Sequence, residues 1–376
     1  MARDTEVSDR TGGKAEMIPL RVAIDPFPIS VPLVIRLQND GPSEEGTAGV
    51  IHRGQGFVEY DVCGLSLTVR TPDPDALDGD VVLILPGQRS LHRLIRNGSP
   101  HNTFLVTEQC DQKCVMCSQP PKAHHVDLFD PFYEAALLGP YGTTIGISGG
   151  EPMLHKERLF DFLLRVQERR PDIEFHILTN GQHFDKNDEP ILQRLDRARI
   201  LWGIPCYSAS PETHDDIVVK AGAFETLERN LALLGKNGHR IELRTVILNA
   251  NVNGLADLSL YVTTHHPHIS FWAIMQLEPI GYGRQNWGRE FFDSSQNFDP
   301  IAAGVDIANI RGLETVLYNF PLCTVPEPYR RFCANSISDW KQKYLPTCSD
   351  CSAINRCTGF FEWYPEERGF SSVGAL

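Results

Sequence analysis

The chain has 376 residues, with 35 basic and 48 acidic side chains and a formal net charge of −13. That length exceeds one typical domain and suits a barrel carrying one or two appendages. The acidic balance removes the counterion-releasing footprint that a polyanion-binding protein needs, so nucleic acid is not expected as a partner. No apolar run approaches the roughly 18 residues of a membrane span. The polar opening "MARDTEVSDRTGGKAE" lacks the apolar core of a secretory signal. A cytoplasmic protein without membrane contact, and with a disordered tail over residues 1–16, is the expectation.

Between 17 and 100 the short β-branched runs "IPLRVAI", "GFVEYDV", "LSLTVR" and "DVVLILPG" are separated by Pro, Gly and Asp, which predicts a β-rich N-terminal domain. From 101 to 312 strand and helix alternate. The strands are "TFLVTE", "TTIGIS", "IEFHILT", "RILWGIP", "IELRTVIL" and "ISFWAIMQL", and amphipathic stretches such as "ERLFDFLLRVQERR" and "AFETLERNLALLGKNG" lie between them. Alternation of this kind implies a parallel sheet. The predicted class is therefore α/β, a partial (β/α)6 TIM-like barrel whose ligand sites gather at the C-terminal ends of the strands. An Asn- and Asp-rich stretch and a short helix near 298–311 follow. A strand "TVLYNF" then opens a Cys-rich extension over 313–376.

Ten cysteines in a chain of this kind point to metal or redox chemistry, because reducing compartments disfavour structural disulfides. Cys63 and Cys206 stand alone beside apolar neighbours and read as small buried hydrophobes. Cys110, Cys114 and Cys117 share the loop "CDQKCVMC" directly after the first barrel strand. A structural zinc site closes with four ligands. Three thiolates on a [4Fe–4S] cluster instead leave one iron open to a chelating small molecule. A zinc or electron-transfer site completed by a distant residue is the plain alternative. At the end of the second strand, "SGGEP" supplies Gly149 and Gly150, which permit close backbone approach to a ligand, and Glu151, an acceptor for an ammonium group. Taken alone, a Gly-Gly pair is only a strand-to-helix turn.

With these two motifs in this order, residues 103–281 resemble the radical S-adenosylmethionine superfamily. The resemblance implies that Cys110, Cys114 and Cys117 bind a [4Fe–4S] cluster and that S-adenosylmethionine chelates its open iron. Gly149, Gly150, Glu151 and Pro152 would seat the cosubstrate. One electron, from a flavodoxin- or ferredoxin-type reductant, would then yield a 5′-deoxyadenosyl radical that takes a hydrogen atom from an unactivated carbon. "YSASPETHDDI" resembles a Ser-x-Asp-Gly-Pro…His-Asp stretch of peptide-modifying members, without its Asp-Gly. This puts Ser208 or Ser210 at the ribose, with N-capping by Ser210 as an equal alternative and structural roles for His214 and Asp215. Asn249, and Gln276 in "QLEPIG", occupy positions that border the cofactor in relatives. Met116 stands where an aromatic is frequent and is expected against the adenine. His124 and His125 are expected to be solvated loop residues.

Cys348, Cys351 and Cys357 read Cx2Cx5C, which resembles the auxiliary-cluster extensions of radical maturases, in their full or shortened form. The five thiols after 313 fill only one four-thiolate site, which implies one auxiliary [4Fe–4S] cluster with Cys323 or Cys333 as fourth ligand. Cys323 is preferred because it directly follows the strand in "TVLYNFPLC". A zinc ribbon is the rival use of the same spacing. From about residue 80 onward, "HNTFLVTEQCDQKCVMCSQPPK", "SISDWKQKYLPTCSDC" and "CTGFF" resemble radical maturases encoded beside precursors with His-Xaa-Ser repeats. That likeness implies a ribosomally made precursor peptide as substrate, crosslinked or oxidised at His-Xaa-Ser units by an oxidoreductase-type enzyme, and a second radical maturase alongside. The β-rich N-terminal region would offer the peptide a sheet edge. A radical dehydrogenase acting on a small molecule, or a non-enzymatic electron carrier or zinc-stabilised binding protein, compete with this reading.

Overall fold

The computed structural model describes residues 18–40 and 44–376, so the expected tail over 1–16 lies outside the described residues. Seven short strands open the chain: β1 (Arg21–Ile24), β2 (Leu33–Gln38), β3 (Thr47–Gly54), β4 (Phe57–Val62), β5 (Leu65–Arg70), β6 (Val81–Ile84) and β7 (Ser90–Ile95). Their alternating apolar residues, among them Leu37, Val58, Tyr60, Leu67, Val69 and Leu91, fill a common interior. The strands close in the order β1-β5-β4-β3-β2-β6-β7, and β1 pairs with β7 as well as with β5. Closure occupies the edges that peptide augmentation requires. The sheet edge expected of this region is therefore absent among the described residues. Cys63 also departs from expectation. It forms a two-residue hairpin turn with Gly64, at φ 51 and 86, a geometry that fits the twist of the flanking strands and holds the thiol outside. Cys63 is exposed, whereas Cys206 is buried.

The second sheet is parallel throughout. Its strands are β8 (Asn102–Thr107), β9 (Thr144–Gly149), β10 (Glu174–Leu178), β11 (Ile200–Pro205), β12 (Arg240–Val246), β13 (Phe271–Met275) and β14 (Thr315–Tyr318), each paired with the next. β8 to β13 are the six strands expected, and the architecture is the partial barrel of an α/β fold. β14, read from the sequence as the start of the extension, joins the same sheet beside β13. The helices are α1 (Phe129–Leu138), α2 (Lys156–Arg169), α3 (Glu189–Leu192), α4 (Pro211–Val218), α5 (Ala223–Lys236), α6 (Leu255–His265), α7 (Gly281–Gln285), α8 (Trp287–Glu290) and α9 (Asp299–Ile310). In α5 the buried residues Phe224, Leu227, Leu231 and Leu234 recur at helical spacing and form one face. They join Ile177, Trp202, Ile204, Ile241 and Leu243 of the strands in the main core.

Because side chains alternate across a strand, the opposite face of the same strands carries His176, Gly203, Glu242 and Arg244 instead. The remaining chain forms a small unit with β15 (Gln342–Lys343) and β16 (Phe360–Phe361) around Phe360, Tyr364 and Phe370. Arg96, just after β7, binds Asp339 of this unit with two hydrogen bonds, 3.0 and 2.5 Å. No helix among the described residues is long and apolar enough to cross a membrane.

Candidate active site

The loop bearing Cys110, Cys114 and Cys117 leaves the C-terminal end of β8 and is held from two sides. At the end of α4, Ile217 and Val218 carbonyls accept from Val115 N (2.9 Å) and Lys113 N (3.3 Å). From the α7 region, Tyr282 N donates to Cys117 O (2.8 Å) and Asn286 Nδ2 to Val115 O (2.8 Å). A Cβ on Gly281, which has φ +57, would stand 2.5 Å from Cys117 O, so only glycine lets α7 begin there. Met116 is buried with Tyr207, Leu248, Leu277 and Trp287 in the apolar cluster beneath the loop. The spacer between the first two cysteines is itself an anchor. Asp111 accepts from Asn180 Nδ2 (2.9 Å) and pairs with Lys220 and with His183 Nε2 (3.2 Å). Burial raises the Asp111 carboxyl, but His183 and Lys220 outweigh it and hold the group well below the usual carboxylate range. Nothing in "DQK" signals this role, because the partners come from two other elements.

Burial pushes the Cys110 thiol up to about 11 and raises Cys114 and Cys117 as well. The charges of Cys117 and Cys110 add to the shift at Cys114. Cys117 Sγ points to Gln119 O (3.1 Å) and Cys114 Sγ to Gln112 Oε1 (3.6 Å). Among the described residues no three His, Cys, Asp or Glu side chains are already drawn into a metal-holding group. What fits a cluster is the donor chemistry. Three half-buried thiols repel one another as thiolates, and a cationic iron core would relieve that repulsion on displacing the protons.

The end of β9 is stitched to the entrance of this loop. Gly150 N donates to Thr107 O (2.9 Å) and Glu151 N to Gln109 O (2.7 Å). A Cβ on Gly149 would lie 2.0 Å from Thr107 O, and one on Gly150 2.1 Å from Gln109 O. The glycines thus admit a second stretch of backbone, where the sequence suggested approach to a ligand. Glu151 is likewise turned inward. Its fully buried carboxylate accepts from Met153 N (2.8 Å), Thr179 Oγ1 (2.6 Å) and Asn180 N (2.5 Å). It caps the short turn Pro152–His155, with Pro152 in the first position. Burial raises its pKa against these three donors. The bonds leave about one of the four lone-pair directions of a carboxylate for any ammonium group.

The other candidates hold the loops around the strand ends. Ser208 Oγ accepts from Ser210 N (3.0 Å), and Ser210 Oγ caps α4 by accepting from Thr213 N (3.3 Å). His214 is buried, with Nδ1 accepting from Tyr207 N (3.3 Å), and burial pushes it down to about 4. Asp215 accepts from Phe224 N (2.8 Å) at the start of α5. Asn249 Nδ2 donates to Arg289 O (2.7 Å) and Phe291 O (3.1 Å), and Gln276 Nε2 to Phe292 O (3.1 Å). His124 is exposed. His125, however, stacks on His155 at 3.8 Å, and its Nδ1 is buried without a hydrogen-bond partner among the described residues, contrary to the solvated position expected.

In the C-terminal unit, Cys357 Sγ accepts from Leu322 N (3.3 Å) and Gly359 N (3.4 Å), and Cys351 Sγ from Leu376 N (3.4 Å). Burial raises Cys323 and Cys348. Cys357 and Cys348 raise Cys323 further, and Cys357 and Cys351 do the same to Cys348. Cys333 senses only Cys357 among the thiols. It packs against the main core, and burial pushes it up to about 12. Backbone N–H groups directed at sulfur suit thiolates that carry charge.

Residues 104–257 match the family model of the radical SAM superfamily. Over 263 residues the chain is 23% identical to a GTP 3′,8-cyclase from Synechocystis sp., which covers 66% of this chain and 72% of the cyclase. Among solved structures, SuiB of Streptococcus suis bound to S-adenosylmethionine superposes with a TM-score of 0.47 at 15% identity, over 57% of this chain and 49% of SuiB. Native anSMEcpe with bound AdoMet and the Cp18Cys peptide superposes with a TM-score of 0.45 at 14% identity, over 57% of this chain and 62% of that one. The chain therefore spans about half the length of SuiB.

Proposed function

Because residues 104–257 carry a radical SAM domain, we propose that the protein is a radical S-adenosylmethionine peptide maturase that oxidises or crosslinks a ribosomally made precursor at His-Xaa-Ser units. One observation carries the first part. The Gly149–Glu151 end of β9 is hydrogen-bonded to the backbone entering the three-cysteine loop, so both motifs lie together at the C-terminal ends of a parallel sheet, where such folds bind ligands. The resemblance of "MCSQPP" and "SISDWK" to the His-Xaa-Ser maturases supports the peptide part.

A [4Fe–4S] cluster with S-adenosylmethionine on its open iron supplies, when bound, a 5′-deoxyadenosyl radical able to take hydrogen from an unactivated carbon. Cys110, Cys114 and Cys117 are the residues to hold it. Asp111 and Asn286 fix the loop, and Glu151 sets the course of the chain after Gly150. Ser208, Ser210, Asn249 and Gln276 border the cosubstrate through the loops they organise, and Met116 supports the cysteine loop from beneath. Cys323, Cys348, Cys351 and Cys357 are the set for one auxiliary cluster. Cys323 is favoured over Cys333 because it packs with Cys348 against the Phe360 cluster, whereas Cys333 packs against the main core. A reductant of the flavodoxin or ferredoxin type and a second maturase complete the proposed partners. A small-molecule substrate is the second reading, favoured by the likeness to the cyclase, whose name gives a nucleotide.

The test is anaerobic reconstitution. Dithionite-treated protein should release 5′-deoxyadenosine and hold about eight irons, and a coexpressed His-Xaa-Ser precursor should change mass. Failure to release the nucleoside refutes the enzyme class. About four irons with bound zinc moves the C-terminal thiols to a zinc ribbon. An unaltered precursor beside active cleavage favours the small molecule.

A further inference from the structure

The concave face of the parallel sheet holds a charged cluster that no step above uses. His176 on β10 directs Nε2 at Glu242 Oε2 on β12. The other oxygen of Glu242 accepts from Arg244 Nη1 at 2.6 Å. Tyr318 on β14 lies near enough for both charges to act on its phenol. Between these strands β11 places Gly203, where a Cβ would stand 2.6 Å from Leu178 Cδ2, 3.0 Å from His176 Nε2 and 3.1 Å from Arg244 Cδ. The glycine makes room for the cluster.

The proton positions follow from electrostatics. The Glu242 side chain is fully buried. Burial raises its pKa, but Arg244 and His176 outweigh that and leave the carboxyl lowered. An ionised carboxylate only accepts, so the facing Nε2 carries the hydrogen. In the neutral ring, Nδ1 then keeps a lone pair. The His176 side chain is 32% accessible, and no hydrogen bond among the described residues engages Nδ1. The Arg244 carbonyl accepts from Cys206 N (3.0 Å), one residue before Tyr207 in the cluster beneath the cysteine loop. A base held by a carboxylate, which is itself held by a cation, has the orientation logic of an acid–base site.

We propose that His176 is the general base of the barrel interior, positioned by Glu242 and Arg244, and that it takes the proton lost when a substrate carbon bearing an O–H or N–H group is oxidised. The proposal rests on the radical SAM reading. Converting an H–C–X–H unit to C=X, where X is oxygen or nitrogen, removes two hydrogens. One leaves the carbon as an atom and forms the new C–H bond of 5′-deoxyadenosine. The other leaves X as a proton for Nδ1. The remaining electron passes to an iron–sulfur acceptor of the class proposed for the C-terminal thiols.

Two measurements on the reconstituted full chain decide it, the spectra with the protein oxidised and the turnover after dithionite reduction. In 15N-imidazole spectra, with the His176 signals assigned by their loss in His176→Gln, wild type should show the Nε2–H tautomer and Glu242→Gln should lose that preference. An Nδ1–H tautomer, or one unmoved by Glu242→Gln, overturns the proposal. With a synthetic peptide of three His-Ala-Ser units as the probe, the yield of oxidised peptide per 5′-deoxyadenosine should fall at least about tenfold in His176→Gln. An unchanged yield also overturns it. If wild type releases 5′-deoxyadenosine but leaves this peptide unaltered, the substrate reading fails and the spectra alone decide the base. If wild type releases none, the radical reading and the base fall together.

Discussion

A methyl group on Gly150 would meet the Gln109 carbonyl at 2.1 Å, and the obstacle is backbone that cannot rotate away. Relief requires breaking the pairs Gly150 N to Thr107 O and Glu151 N to Gln109 O. Gly150→Ala should therefore cost about 3 kcal/mol in urea unfolding, and an unchanged midpoint would refute the fit. Glu151 tests the neighbouring idea. Its three partners are all donors, so the amide of Glu151→Gln sets N–H against N–H or O–H at one of them. A loss of about 2 kcal/mol is expected. If the carboxylate served only an ammonium group, the variant would keep its stability and lose only S-adenosylmethionine affinity, which calorimetric titration would show.

At the scale of elements, local periodicity made much of the barrel legible. α2 and α5 carry their apolar face at helical spacing, and β8 to β13 are β-branched runs bounded by turns. Closure of the first seven strands had no such signal, because the pairing of Arg21 with His92 joins residues far apart in sequence. α7 was equally silent. "GYGRQ" is a poor helix former, and contacts between Tyr282 or Asn286 and the cysteine loop hold it in place. His176 and Glu242 did leave a trace, as polar residues inside strands that a doubly covered parallel sheet would fill with apolar ones. The Ser210 alternatives can now be separated. As the cap of α4 it accepts from Thr213 N, so Ser210→Ala should lower stability by about 1 kcal/mol and leave S-adenosylmethionine affinity within about twofold, less than 0.5 kcal/mol. A tenfold loss of affinity at unchanged stability would instead assign the hydroxyl to the ribose.

An ion pair that spans 243 residues of sequence links the N-terminal barrel to the C-terminal unit. Arg96 follows the last strand of the N-terminal barrel, and Asp339 belongs to the "SISDWK" string of the C-terminal unit. Arg96 is nearly buried, at 6% side-chain accessibility, while Asp339 keeps 39%. Burial raises the Asp339 carboxyl, but the Arg96 hydrogen bonds outweigh it and leave its pKa below the ordinary value. The sign follows from linkage. A carboxyl with a lowered folded pKa adds stability that is present above its unfolded pKa, about 3.9, and lost as pH falls through the folded one. Asp339→Asn should then cost about 1–2 kcal/mol at pH 7, the figure for a charged hydrogen bond reduced for solvent screening. The deficit should shrink below about pH 4, where the wild-type carboxyl gains its own proton. Urea unfolding at pH 7 and at pH 3 measures the difference. A deficit equal at both pH values would mean that the charge of Asp339 does not hold the two ends of the chain together.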